Sequence, residues 1–168
     1  MRRQAVLLAG LLGLLLAASA LAITPFGRGA KAKANVDAAK ELAALQLPHG
    51  ASQVHGDQSV KGVLGPPVVA CTRKHVVYDF GFWRVTGKPS AVWAWVRNHP
   101  PPHVRWIAWA ESEPVSSVDF GFADQRNVIS RILKVTVAAA KGSGSAVRAD
   151  GVAVWLPRGE SSPCVQSY

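Results

Sequence analysis

Ile129-Ser130-Arg131-Ile132-Leu133-Lys134-Val135-Thr136-Val137-Ala138-Ala139 and Ala146-Val147-Arg148-Ala149-Asp150-Gly151-Val152-Ala153-Val154-Trp155-Leu156 decide the fold class. In the first run Leu133, Val135 and Val137 alternate with Lys134 and Thr136. In the second, Val147, Ala149 and Ala153 alternate with Arg148 and Asp150. A period of two is that of a strand, whose successive side chains leave opposite faces. The joining segment Lys141-Gly142-Ser143-Gly144-Ser145 is too short for a parallel crossover, so the two strands form an antiparallel hairpin. Val104–Glu111 and Val115–Phe122 repeat the pattern, separated by Ser112-Glu113-Pro114 and followed by Asp124-Gln125-Arg126-Asn127.

Upstream, Val76, Tyr78, Phe80 and Phe82 alternate with Val77, Asp79, Gly81 and Trp83 as an earlier strand. Thr86-Gly87-Lys88-Pro89 then opens a helix with Val92, Trp95 and Val96 on one side, stopped by Pro100-Pro101-Pro102. Before that strand, Asn35 or Asp37 caps a helix reaching Leu45, its stripe Val36, Leu42 and Leu45, closed by Pro48. Breakers dominate His49 to Pro67, and Gly27 to Ala34 reads as a flexible basic spacer. The sum is an α+β domain: a four-stranded C-terminal antiparallel meander plus an earlier strand, with two helices packed on one face and the six tryptophans mostly lining the core.

The amino terminus gives the address. Met1-Arg2-Arg3 precedes an apolar run from Ala5 to Ile23, with Ala18-Ser19-Ala20 and Ala20-Leu21-Ala22 near its end. A basic start, a bilayer-soluble stretch and small residues at the cleavage subsites are the order of a signal peptide. Residues 1–22 are expected to be removed between Ala22 and Ile23, leaving 23–34 as spacer and 35–168 as a single α+β domain. The run approaches the roughly 20 residues that span a bilayer, so an uncleaved single-pass membrane anchor is the alternative, with membrane contact only through residues 1–23. Either way the domain is extracytoplasmic, secreted or in the cell envelope. Loss of Arg2 and Arg3 lowers the formal net charge from +9 to +7. Outside a cell such a surplus draws anionic polymers or lipid headgroups, but the basic residues form no run and no specific nucleic-acid binding is expected.

Leu47-Pro48-His49-Gly50-Ala51, His99-Pro100-Pro101 and Val147 to Arg158 resemble a group of uncharacterised exported proteins of high-GC Gram-positive bacteria. That resemblance implies an extracytoplasmic α+β domain and supplies no catalytic residues.

Asp79-Phe80-Gly81-Phe82 recurs as Asp119-Phe120-Gly121-Phe122, but the other parts of a kinase are missing and the flanks do not repeat. Both read as strand segments in which glycine lets an aromatic ring lie across bare backbone. His99 and His103 are separated by prolines that hold their attachment points about 12 Å apart, too far for one ion by local geometry. His49, His55 and His75 show no ligand spacing, and Gly142-Ser143-Gly144-Ser145 lacks the lysine of a phosphate loop. No catalytic residue, metal or cofactor is therefore assigned. Three readings remain: a non-catalytic domain binding an anionic or glycan polymer or another envelope protein, a hydrolase whose Asp79, Asp119 and Asp150 converge from neighbouring strands, and a membrane-tethered envelope protein. Exposed indoles favour the first and a carboxylate–histidine cleft the second.

Cys71 and Cys164 are the only thiols, an even count in an oxidising compartment, and a disulfide between them is expected. It closes a loop of about 94 residues, stabilising by about 4–5 kcal/mol in the chain-entropy account. Thiol titration of the denatured, unreduced protein should find no reactive thiol. Two per chain would show that the bond does not form.

Overall fold

The computed structural model describes residues 29–55, 75–112, 114–123 and 129–155. The expected signal peptide, its Ala22–Ile23 junction and the Cys71–Cys164 pair lie outside the described residues. Among these residues six strands and two helices follow one another as α1 (Ala30–Ala43), β1 (Ser52–Gln53), β2 (Val76–Val85), α2 (Pro89–Asn98), β3 (Trp106–Ser112), β4 (Val115–Ala123), β5 (Ile129–Ala139) and β6 (Ser145–Val154). The strands form one antiparallel sheet in the order β1-β2-β6-β5-β4-β3. β3 to β6 are the meander expected from alternation and short turns. The β5–β6 turn bends through Gly142 and Gly144, whose φ values of 100° and 79° suit glycine. β2 docks on the outer side of β6, so the earlier strand pairs with the last one. Between them α2 crosses the sheet, carrying the chain from β2 to β3 at the far edge, and it packs against β4, β5 and β6.

Directly opposed residues of an antiparallel sheet share a face. Val118, Val135 and Ala149 are opposed across β4, β5 and β6, as are Phe120, Leu133 and Gly151. All of these but Gly151, with Val85, Val137 and Val147, meet Val92, Trp93 and Val96 of α2 in the main core. α1 lies on the same face, over β2, β6 and β5. Both helices thus cover one side of the sheet, as the alternation predicts. None of the described helices is long and apolar enough to cross a membrane.

The inner stripes of the helices differ from the sequence expectation. On α1 the buried positions are Ala30, Ala34, Asp37, Ala38 and Glu41, while Val36 is 53% exposed. Small residues win because α1 packs backbone to backbone: a Cβ added at Gly151 would stand 2.0 Å from the Ala38 carbonyl oxygen. Ala34 and Ala38 then seat against Val77 and Ala153, themselves a cross-strand pair. The helix also starts at Ala30, after Gly29 at φ 81°, rather than at Asn35 or Asp37. The alanine-rich Ala30-Lys31-Ala32-Lys33-Ala34 has high helix propensity, so the end of the supposed spacer is the first turn of the fold.

On α2 it is Trp93 that is buried with Val92 and Val96, and Trp95 is 38% exposed. Trp95 instead lies flat on His99, with ring centres 3.6 Å apart, and the His99 ring nitrogen Nδ1 stands 2.7 Å from the Trp95 carbonyl oxygen. The expectation that most tryptophans line the core holds for Trp93, Trp83 and Trp155, the last two packed against core clusters, and fails for Trp95 and Trp109. Of those whose side chains are described, Trp93 is buried, Trp83 and Trp155 are half-buried, and Trp95 and Trp109 are exposed. The two Asp-Phe-Gly-Phe segments lie in β2 and β4. At Gly81 an added Cβ would be 2.5 Å from the Trp83 indole, which lies across the bare backbone.

Gly151→Ala should destabilise the fold by about 2–3 kcal/mol or more, because the new methyl must push α1 off β6. Urea unfolding of the two proteins measures this directly. An unchanged midpoint would mean that the helix does not sit on β6 as described.

Candidate functional site

The sheet face opposite the helices concentrates the polar chemistry. Alternation that turns Val147, Ala149 and Gly151 toward the helices turns Arg148 and Asp150 the other way. Cross-strand register then sets Asp119 beside Lys134, Lys134 beside Asp150, and Asp150 beside Phe80, one row across β4, β5, β6 and β2. The next row holds Ser117, Thr136, Arg148 and Phe82.

Ion pairs tie these rows together. The Arg148 guanidinium grips Asp150 through Nε, 3.0 and 2.9 Å from the two carboxylate oxygens, and through one terminal nitrogen at 2.6 Å. Its central carbon also stands 5.3 and 5.4 Å from the ring centres of Phe80 and Phe82, within cation–π range. Those rings meet edge to face at 5.9 Å. Lys134 donates to both oxygens of Asp119, at 3.0 and 3.3 Å. Asp150 is 1% exposed and Arg148 8%, whereas Phe80 is 54% exposed. The result is an aromatic ring open to solvent, backed by a buried guanidinium that is paired with Asp150.

Burial raises the Asp150 carboxyl above its ordinary value, and the hydrogen bond and charge of Arg148 oppose that rise. On the helix face Glu41 is raised by burial too, against the pull of Arg131, whose guanidinium donates to it at 2.9 Å. A raised carboxyl holds its proton more tightly folded than unfolded. The stability this gives is complete below the ordinary carboxylate range and is lost as pH rises through the raised value.

The three aspartates weighed as strand-borne acids do not converge. Asp119 and Asp150 share the polar face, but each is neutralised by a cation, and Asp79 is exposed on the helix face opposite Gly151. Among the described residues no three of His, Cys, Asp and Glu gather as metal ligands would. His99 belongs to the Trp95 stack, and His75 meets the edge of Trp155 at 5.2 Å. A shallow hollow of about 430 Å³ lies between the end of β2, the start of α2 and the β5–β6 turn, lined by Arg84, Thr86, Lys88 and Ser143 and by no acid or histidine. Compared with protein families, with characterised proteins and with solved structures, the chain matches none of them.

The Arg148–Asp150 pair escaped the sequence reading although its signal was present. Residues two apart on a strand share a face, and the short β5–β6 turn fixes Lys134 next to Asp150. Arg148→Met alone should cost about 3–5 kcal/mol, since it leaves a buried carboxylate without its cation. Arg148→Met/Asp150→Val removes both charges and should cost clearly less than the single change. Denaturant melts of the variants test the pair, and additive costs would show that the two side chains are not coupled.

Proposed function

We propose that the chain is an exported, non-catalytic domain of the cell envelope or its surroundings, which binds an anionic or glycan polymer on the sheet face opposite its helices. The observation that carries this reading is Phe80, more than half exposed and held over the Arg148 guanidinium. An open ring of this kind stacks on the apolar face of a sugar, and the Arg148 guanidinium, paired with Asp150, packs against the ring from within the fold.

Charge supports the same partner. Asp37, Glu41, Asp119 and Asp150 are each matched inside the fold by Lys33, Arg131, Lys134 and Arg148. Exposed Lys31, Lys40, Lys88 and Lys141 therefore keep their field, which draws polyanions and weakens as salt is added. The apolar Ala5–Ile23 run and the resemblance to exported proteins favour an extracytoplasmic site of action, whether the run is removed after Ala22 or retained as a tether. The strand-borne hydrolase gains no support, because its carboxylates are separated or paired.

Polygalacturonate, an anionic glycan, and uncharged dextran serve as probes in titrations of the protein recovered from expressing cells. Polygalacturonate should bind, less tightly as salt rises, and Phe80→Ala should weaken it about tenfold by loss of the stacking ring. Dextran should bind more weakly. Absence of binding to either polymer, or an unchanged affinity in Phe80→Ala, would overturn the reading.

A further inference from the structure

β3 is the last strand of the sheet, and its outer edge is not paired within the described residues. Such an edge presents a row of backbone donors and acceptors ready to receive another strand, and proteins commonly blunt it with charges, prolines or bulges. β3 has none of these in its centre. From Trp106 to Ala110 the sequence is Trp-Ile-Ala-Trp-Ala, and residues 107–111 are all exposed, Trp109 at 58% and Ile107 at 36%. The charges stand at its two ends instead: Arg105, one residue before the strand, and Glu111 within it. Neither forms an ion pair among the described residues.

That arrangement is self-complementary. Two copies of the strand laid antiparallel about Ala108 set Ala108 against Ala108 of the second copy and Ile107 against Trp109. Arg105 then falls against Glu111, and every contact occurs twice. Directly opposed residues lie on one face, so both Arg–Glu pairs and both Ile–Trp pairs form on the side that carries the helices. Moving the axis to Trp109 would place Glu111 against Ile107 and lose that match. We infer that the chain forms a symmetric dimer by pairing β3 with β3 of a second copy, in the register centred on Ala108.

The symmetry has a structural result. Because the odd-numbered residues of both strands share a face, the two sheets join into one, with all four helices on one side and the two polar faces on the other. The join is isologous and closed, so it stops at two chains. Arg97 stands over the Trp109 ring at 5.9 Å, within cation–π range, on the helix side of this edge. A strand edge with two aromatic–aliphatic pairs is smaller than most stable interfaces, so the association is expected in the micromolar to millimolar range. The inference stands independently of polymer binding, which involves the other face and a different strand.

Sedimentation equilibrium of the protein recovered from expressing cells tests it. A mass of two chains should fall toward one on dilution. Arg105→Glu or Glu111→Arg should each weaken the dimer at least about tenfold, since each places like charges opposite one another twice. The exchange Arg105→Glu/Glu111→Arg should restore it, because each pair is rebuilt with its signs reversed. This recovery also separates loss of pairing from loss of folding. A protein that stays monomeric up to about millimolar concentration would overturn the inference and leave the edge to an extended segment of another protein. So would a dimer indifferent to either single change, or an exchange no better than its parts.

Discussion

The close approach of α1 to Gly151 governs the arrangement of the described fold. With the Ala38 carbonyl oxygen 2.0 Å from where a side chain would begin, α1 can lie over β6 only because that position is bare. Ala34 and Ala38 complete the seam against Val77 and Ala153, bridging β2 and β6, the paired strands most distant along the described chain. Once the helix is this close, the next positions around it are forced inward, and Asp37 and Glu41 become buried. Their cations, Lys33 and Arg131, follow from that constraint. A buried acid without them would be a large penalty, so the ion pairs are consequences of close packing rather than independent sources of stability.

The two sides of the sheet solve different problems with the same strands. One packs Leu133, Val135, Val137 and Val147 beneath the helices as a continuous apolar core. The other carries Arg148, Asp150, Lys134 and Asp119 and resolves burial by pairing each acid with a cation. β6 contributes to both, and its ten residues are buried or half-buried throughout. This is why Arg148 and Asp150, which alternate with Val147, Ala149 and Gly151, are buried and paired instead of facing solvent.

Local rules made the strands legible. The period of two, the glycine turn after Lys141 and the proline stops marked β3 to β6 and both helices, and small adjustments at the ends cover the differences. The failures share a cause. Choosing Val36 and Trp95 as inward positions assumed that larger apolar side chains face the core. α1 turns its alanines inward instead because its depth is set by a glycine more than a hundred residues away, and α2 buries Trp93 because it lies over the middle of the sheet. The pairing of β2 with β6 depends on packing across most of the chain, so neither strand announces the other. Asp119, Lys134 and Asp150 were visible one by one, but their neighbourhood required the register of three strands.

Pairing the first long strand with the last has a consequence for the order of events. Val76 faces Val154 and Val85 faces Ser145, so these two strands close only over separations of roughly 60 to 78 residues. Contacts this remote must overcome a large loop entropy before they contribute, which slows folding and leaves β2 without its long neighbour while the polypeptide is still being made. α1 waits as well, because the glycine beneath it belongs to β6. A newly synthesised chain thus stays open until its final strand emerges, the condition in which a polypeptide can be threaded through a narrow channel before it folds.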